Sequence, residues 1–169
     1  MPPDSLAPSD ILLGTLARTK SLALSASEAA KVTVTDAILL EIVPHYSGLR
    51  IWKEEPLETG NAGGIANFLI APSRGYLETP LLCAVEAKFG DFTAGEVQCI
   101  AEMAACRDNA RDGHDLEVHG IVSNGQVWVF YRLTRTPEVF VSGTYTMTDL
   151  PKLLGALDHV IATCADNIP

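Results

Sequence analysis

Leu81-Leu82-Cys83-Ala84-Val85-Glu86-Ala87-Lys88 carries the strongest structural signal in the chain. Its first five residues are apolar. A short unbroken apolar run bounded by turn residues is the pattern of a central strand buried on both faces. Two charges close the run. Side chains alternate along a strand, so Glu86 and Lys88 point to the same side. A charged pair at the end of a central strand costs desolvation unless it faces a cleft, a metal or a partner. A carboxylate there can hold Mg²⁺ through oxygen. A neighbouring Lys can stabilise developing negative charge, or act as a base if its pKa is lowered. The competing reading is a solvated ion pair, worth under about 1 kcal/mol.

Upstream, Ile65-Ala66-Asn67-Phe68-Leu69-Ile70 reads as a strand, and Asn67 stands nineteen residues before Glu86. Between the two runs, Pro72 to Pro80 is rich in turn residues. Leu49 to Trp52 reads as a short strand, and Glu54 to Gly64 as a polar, Gly-rich loop. Two helices come first. Ser9-Asp10 can cap one over roughly Ile11–Leu24, with Ile11, Leu12, Leu16 and Leu22 or Ala23 as its apolar positions. Ser25 with Glu28 fits a capping box for a second, running to about Val43 and weakened by the β-branched Val32–Thr35. Residues 1–8, with three prolines, read as a disordered lead without the charge and apolar pattern of a signal peptide.

Downstream, Gly90–Gly95 leads into a helix from about Glu96 to Ala110, with Val97, Ile100, Ala101, Ala104 and Ala105 as its buried stripe. Gln98 and Glu102 lie one turn apart on it and read, at face value, as an ordinary exposed i, i+4 pair. Leu116–Ser123 and Val127–Leu133 are strands joined by Asn124-Gly125, a dipeptide suited to a type I′ turn with positive φ at both central residues. Glu138–Met147 is a further strand. Thr148 is placed to cap a last helix, Asp149 to about Ala165, with Leu150, Leu153, Leu154, Leu157, Val160 and Ile161 inward. The order α-α-β-β-β-α-β-β-β-α predicts one α/β (α+β) domain over residues 9–169, a mixed sheet flanked by helices.

Composition narrows the function. The chain has 169 residues, enough for one domain with one core. No apolar run reaches the roughly 18 residues of a membrane helix, so no membrane partner is expected. The four cysteines, Cys83, Cys99, Cys106 and Cys164, form no Cys-x-x-Cys pair and are read as buried apolar residues in a reducing cytoplasm. Net charge is −9, with only 12 scattered Lys and Arg. Nonspecific grip on nucleic acid needs clustered cations, so this balance argues against a strong free-standing DNA binder. His45, His114, His119 and His159 are dispersed, and Trp52 and Trp128 are expected in the core rather than as base-stacking platforms.

Four segments in order carry a family resemblance: Gly64-Ile65-Ala66-Asn67-Phe68-Leu69, Val85-Glu86-Ala87-Lys88, Gly95-Glu96-Val97-Gln98-Cys99-Ile100-Ala101-Glu102-Met103, and His119-Gly120-Ile121-Val122-Ser123-Asn124-Gly125-Gln126-Val127-Trp128. From Ser27-Glu28 onward the chain resembles the PD-(D/E)XK nuclease superfamily. Within it, the resemblance is to small, largely cyanobacterial, uncharacterised proteins. It implies a restriction-endonuclease-like fold and Mg²⁺-dependent hydrolysis of DNA phosphodiesters. Carried over by position, it makes Glu86 a metal ligand, Lys88 the catalytic lysine and Gln98 an orienting group, with Glu28 or Glu41 joining from the N-terminal helices. On the residues alone, Glu28 is a capping residue and Glu41 a solvated helix position. The departure is Asn67, where the family has Asp as the bridging metal ligand. A neutral amide oxygen there should weaken Mg²⁺ binding. Three functions follow as expectations: a Mg²⁺-dependent nuclease or weakened version of one, a nuclease-like binding or regulatory module, and a protein-assembly subunit or homo-oligomer.

Overall fold

A computed structural model describes residues 4–59, 62–88, 92–110, 116–136 and 138–168. In chain order the elements are α1 (Asp10–Thr19), α2 (Glu28–Ile42), a 3-10 turn (Val43–His45), β1 (Leu49–Thr59), β2 (Ala62–Pro72), β3 (Cys83–Ala87), α3 (Phe92–Asp108), β4 (Val118–Ser123), β5 (Val127–Leu133), β6 (Val139–Val141), β7 (Tyr145–Thr146), a second 3-10 turn (Met147–Asp149) and α4 (Leu150–Asp166). Among the described residues these are four α-helices and one open seven-stranded mixed sheet, ordered β1-β2-β3-β4-β5-β6 with β7 on β5. All pairings are antiparallel except β3 with β4, which the α3 crossover makes parallel.

The apolar run fulfils its reading: β3 is buried along its whole length in mid-sheet. Its alternation divides the core in two. Cys83, Val85 and Ala87 pack with Leu12 of α1, Ile38, Leu39 and Ile42 of α2, and Leu153, Leu154, Leu157 and Ile161 of α4. Ala84 packs with Leu69 of β2, Cys99, Met103 and Cys106 of α3, and Val122 of β4. The sheet is therefore sandwiched, α3 on one side and the other helices on the opposite side. Glu86 has the parity of Ala84 and looks toward α3. All four cysteines are free and buried. No helix among the described residues is long and apolar enough to cross a membrane.

Several local expectations need correction. The expected polar loop over Glu54–Gly64 is mostly strand. β1 and β2 pair from Leu49↔Pro72 out to Thr59↔Ala62, which buries Leu57. α1 stops at Thr19 and leaves Ile11 and Leu22 exposed. The cap of α2 is Ser27, whose side chain accepts from Ala30 N–H, rather than Ser25. The β-branched run does not interrupt this helix, because Val34 and Thr35 are buried against its neighbours. The Asn124-Gly125 turn is shifted by one residue. Gly125 has φ 86° while Asn124 has no positive φ, and Asn124 Oδ1 accepts from Gln126 N–H and Val127 N–H. Positive φ at the first central residue alone is the type II′ pattern. The single strand expected over 138–147 breaks at Ser142, and Thr148 does not cap α4. Leu6 of the N-terminal lead packs on the core, with its N–H donated to Pro151 O. His114, Gly90 and residues 60–61 of the expected loop lie outside the described residues.

α3 holds the most consequential correction. It starts at Phe92, and its buried side is Gly95, Cys99, Glu102, Met103, Ala105 and Cys106, with Val97 exposed. Small residues make this approach possible. A Cβ at Gly120 would sit 2.7 Å from Cys99 Sγ and against Met103 Sδ, and one at Gly95 would sit 2.6 Å from Lys88 Cγ. The glycines thus press α3 against β4 and against the Lys88 stem.

Candidate functional site

At the C-terminal end of β3, Glu86 is fully buried. Its Oε1 accepts from Asn67 N–H at 3.2 Å. Lys88 Nζ lies 3.3 Å from its Oε2, and the Lys88 side chain is partly exposed. Lys88 therefore stands between the buried carboxylate and solvent. Its backbone N–H is held by Ser123 O of β4 at 2.8 Å, which fixes the chain just past the strand end.

Asn67 ties β2 to β3 twice. Besides donating to Glu86, its side-chain Oδ1 accepts from Ala87 N–H at 2.9 Å. The amide oxygen that would face a cation is thus occupied by backbone. On the other side of Asn67, the β1 residue at the corresponding position is Glu54. The ladder is interrupted there, between Lys53↔Phe68 and Glu55↔Ala66, and Glu54 has φ 53°, the left-handed region.

α3 supplies the remaining groups. Gln98 Nε2 donates to Glu102 Oε1 at 2.9 Å. Glu102 is buried rather than solvated, and the Glu86 carboxylate acts on it electrostatically. Burial first, and then the Glu86 charge, push the Glu102 pKa up to about 8, against the lowering effects of Gln98 and Lys88. Two carboxyl oxygens, Glu86 Oε2 and Glu102 Oε2, are buried with no hydrogen-bond partner. Lys88 is near enough to Glu86 Oε2 for an ion pair without replacing that bond.

The structure therefore brings Asn67, Glu86, Lys88 and Gln98 together and adds Glu102. It does not bring Glu41 in: both of its carboxylate oxygens accept from Ser9, one from N–H at 2.7 Å and one from Oγ at 2.8 Å. Glu28 is exposed on the first turn of α2. Of the other histidines, His45 and His159 are exposed, while His119 is buried. Among the described residues no group of three or more His, Cys, Asp and Glu side chains is arranged to hold a metal ion. Glu86 and Glu102 form a pair. Glu102 is the residue that reading the sequence underweighted. A signal for it existed: Gly95, Cys99, Glu102 with Met103, and Cys106 recur at helical spacing, and this stripe of small residues includes Glu102.

Comparison with protein-family models, curated proteins and solved structures yielded no match.

Proposed function

We propose that the chain is a PD-(D/E)XK-type, restriction-endonuclease-like protein whose site at the end of β3 takes Mg²⁺ and acts on DNA phosphodiesters, with metal affinity reduced by Asn67. The observation that carries this reading is the convergence of Glu86, Lys88, Gln98 and Glu102 at one strand end, with two buried carboxyl oxygens lacking donors. A buried carboxyl pair with one oxygen of each group free of hydrogen bonds suits a hard cation that binds through oxygen. Glu86 and Glu102 would hold the metal, and Asn67 would position Glu86 through its N–H. When bound, the metal supplies activation of water and neutralisation of phosphate charge. Lys88, partly exposed beside Glu86, would place a cation where the substrate phosphate would lie. Gln98 orients Glu102. The mixed sheet with helices on both faces supports the fold half of this reading, and four free buried cysteines suit a reducing cytoplasm.

A second reading, a nuclease-like module that binds without cleaving, is favoured by the engagement of Asn67 Oδ1 with Ala87 N–H and by the −9 charge. Titration calorimetry with Mn²⁺ and Mg²⁺, paired with a supercoiled-plasmid nicking assay, separates the two. The first reading expects Mn²⁺ binding that Glu86→Ala abolishes. It also expects nicking that Lys88→Ala removes while metal binding persists. Asn67→Asp keeps one oxygen for Ala87 N–H and frees the other, so Mn²⁺ affinity should rise roughly tenfold or more. Metal binding with no nicking, even in Asn67→Asp, selects the binding module. No metal heat in any variant, with Glu86→Ala indistinguishable from wild type, sinks the metal site altogether.

A further inference from the structure

The face of the sheet opposite Glu86 carries a second feature. His119 of β4, Arg132 of β5 and Phe140 of β6 are cross-strand partners and so form one row on the α4 side. The Arg132 guanidinium lies 5.1 Å over the Phe140 ring. α4 faces the row with His159, Val160 and Thr163, and a cavity of about 250 Å³ lies between. No Asp or Glu is among the described residues that line it. In a chain of net charge −9, this gathers an Arg and two His around a single hollow.

His119 is the second, independent observation. It is only 5% exposed, and its buried Nε2 has no hydrogen-bond partner. Burial, reinforced by Arg132 and His159, lowers its pKa to about 4, so the ring is neutral at physiological pH. A buried polar atom without a partner is expensive, and native proteins usually leave one only where something else satisfies it. The rest of the lining is mainly apolar, with Phe130, Phe140 and Val160 beside the hydroxyl-bearing Ser142 and Thr163. The hollow lies below the roughly 300–1,000 Å³ typical of drug-sized ligands, so it suits a molecule of about one ring.

We propose that this cavity binds a small organic carboxylate with an apolar body. The carboxylate oxygens accept from the Arg132 guanidinium and from Nε2–H of His119, and the apolar body lies against Phe140 and Val160. An Arg fork matches a planar carboxylate, and stacking on Phe140 already orients it. This site lies across the sheet from Glu86 and stands whether or not the metal reading holds.

The test is two-dimensional amide NMR and calorimetry on the full chain, with benzoate as the probe and benzamide as its uncharged counterpart. Benzoate should bind saturably, shifting amides of β5, β6 and the second half of α4. Benzamide should bind at least about tenfold more weakly, since it loses a charge-assisted contact. Arg132 is exposed, so Arg132→Gln should fold normally and weaken benzoate by about tenfold. His119→Leu should lose benzoate binding while its melting temperature holds or rises, because the unsatisfied nitrogen is gone. Glu86→Gln should leave benzoate affinity unchanged. The proposal is overturned by shifts that stay linear with benzoate, by equal affinity for benzamide, or by Arg132→Gln binding like wild type.

Discussion

Two carboxyl groups, Glu86 and Glu102, share one buried spot beside a single lysine, and ionising both there is costly. The consequence is a pH dependence of stability with a definite sign. Glu102 has a raised pKa, about 8 against 4.5, so between those values the folded chain binds a proton that the unfolded chain has released. Stability of the metal-free protein should therefore fall as pH rises through that window, by an amount on the order of a few kcal/mol. Glu102→Gln should flatten the fall, as read from urea midpoints at pH 5 and pH 8.5; an unchanged difference would mean Glu102 ionises freely. Glu54 makes a second residue-level prediction. Its left-handed backbone opposite Asn67 costs a non-Gly residue about 1 kcal/mol. Glu54→Gly should raise stability by less than that amount in thermal melts, because Gly's greater unfolded-state freedom offsets part of the gain; a lowered melting temperature would mean that the position is unstrained. Glu86 and Lys88 were legible at this scale because strand alternation puts them on one side. The burial of Glu102 was not, since i, i+4 spacing alone leaves open which face of a helix is covered.

Among the elements, α3 is the part that makes a site out of a strand end. Gly120 removes the side chain that would hold it off, and Cys99 and Met103 fill that space. Gly120→Ala would push a methyl into fully buried sulfur atoms, an overpacking cost of about 1–3 kcal/mol. It should lower the chemical-denaturation midpoint and, by lifting α3, reduce any Mn²⁺ affinity; a variant as stable as wild type would show that α3 can slide freely. Periodicity alone puts this helix about four residues late and on the wrong face, because Val97 and Ile100 outscore Gly95 and Cys99 in apolar character. Close packing against a glycine rewards small residues instead. The long β1–β2 hairpin escapes a sequence reading for a related reason: Glu55 and Gly64 look like loop until cross-strand pairing supplies their partners.

For the molecule as a whole, charge sets the terms on which any nucleic acid could bind. With net −9 and only 12 Lys and Arg, few phosphates can be neutralised at once. Binding to nonspecific duplex should be weak, with a log–log salt slope no steeper than about −4, where each phosphate contact contributes about −0.9. A steeper slope by fluorescence anisotropy would reveal a concentrated basic surface in place of scattered cations. Local periodicity and composition were enough to give the mixed α/β order, the buried central strand, the free buried cysteines and the common side of Glu86 and Lys88. Three further juxtapositions required the folded chain. Glu102 joins Glu86, Asn67 spends its amide oxygen on Ala87 N–H, and His119, Arg132 and Phe140 line up across three strands. These depend on strand register and on which helix face is covered, and both are fixed by packing between segments far apart in the chain.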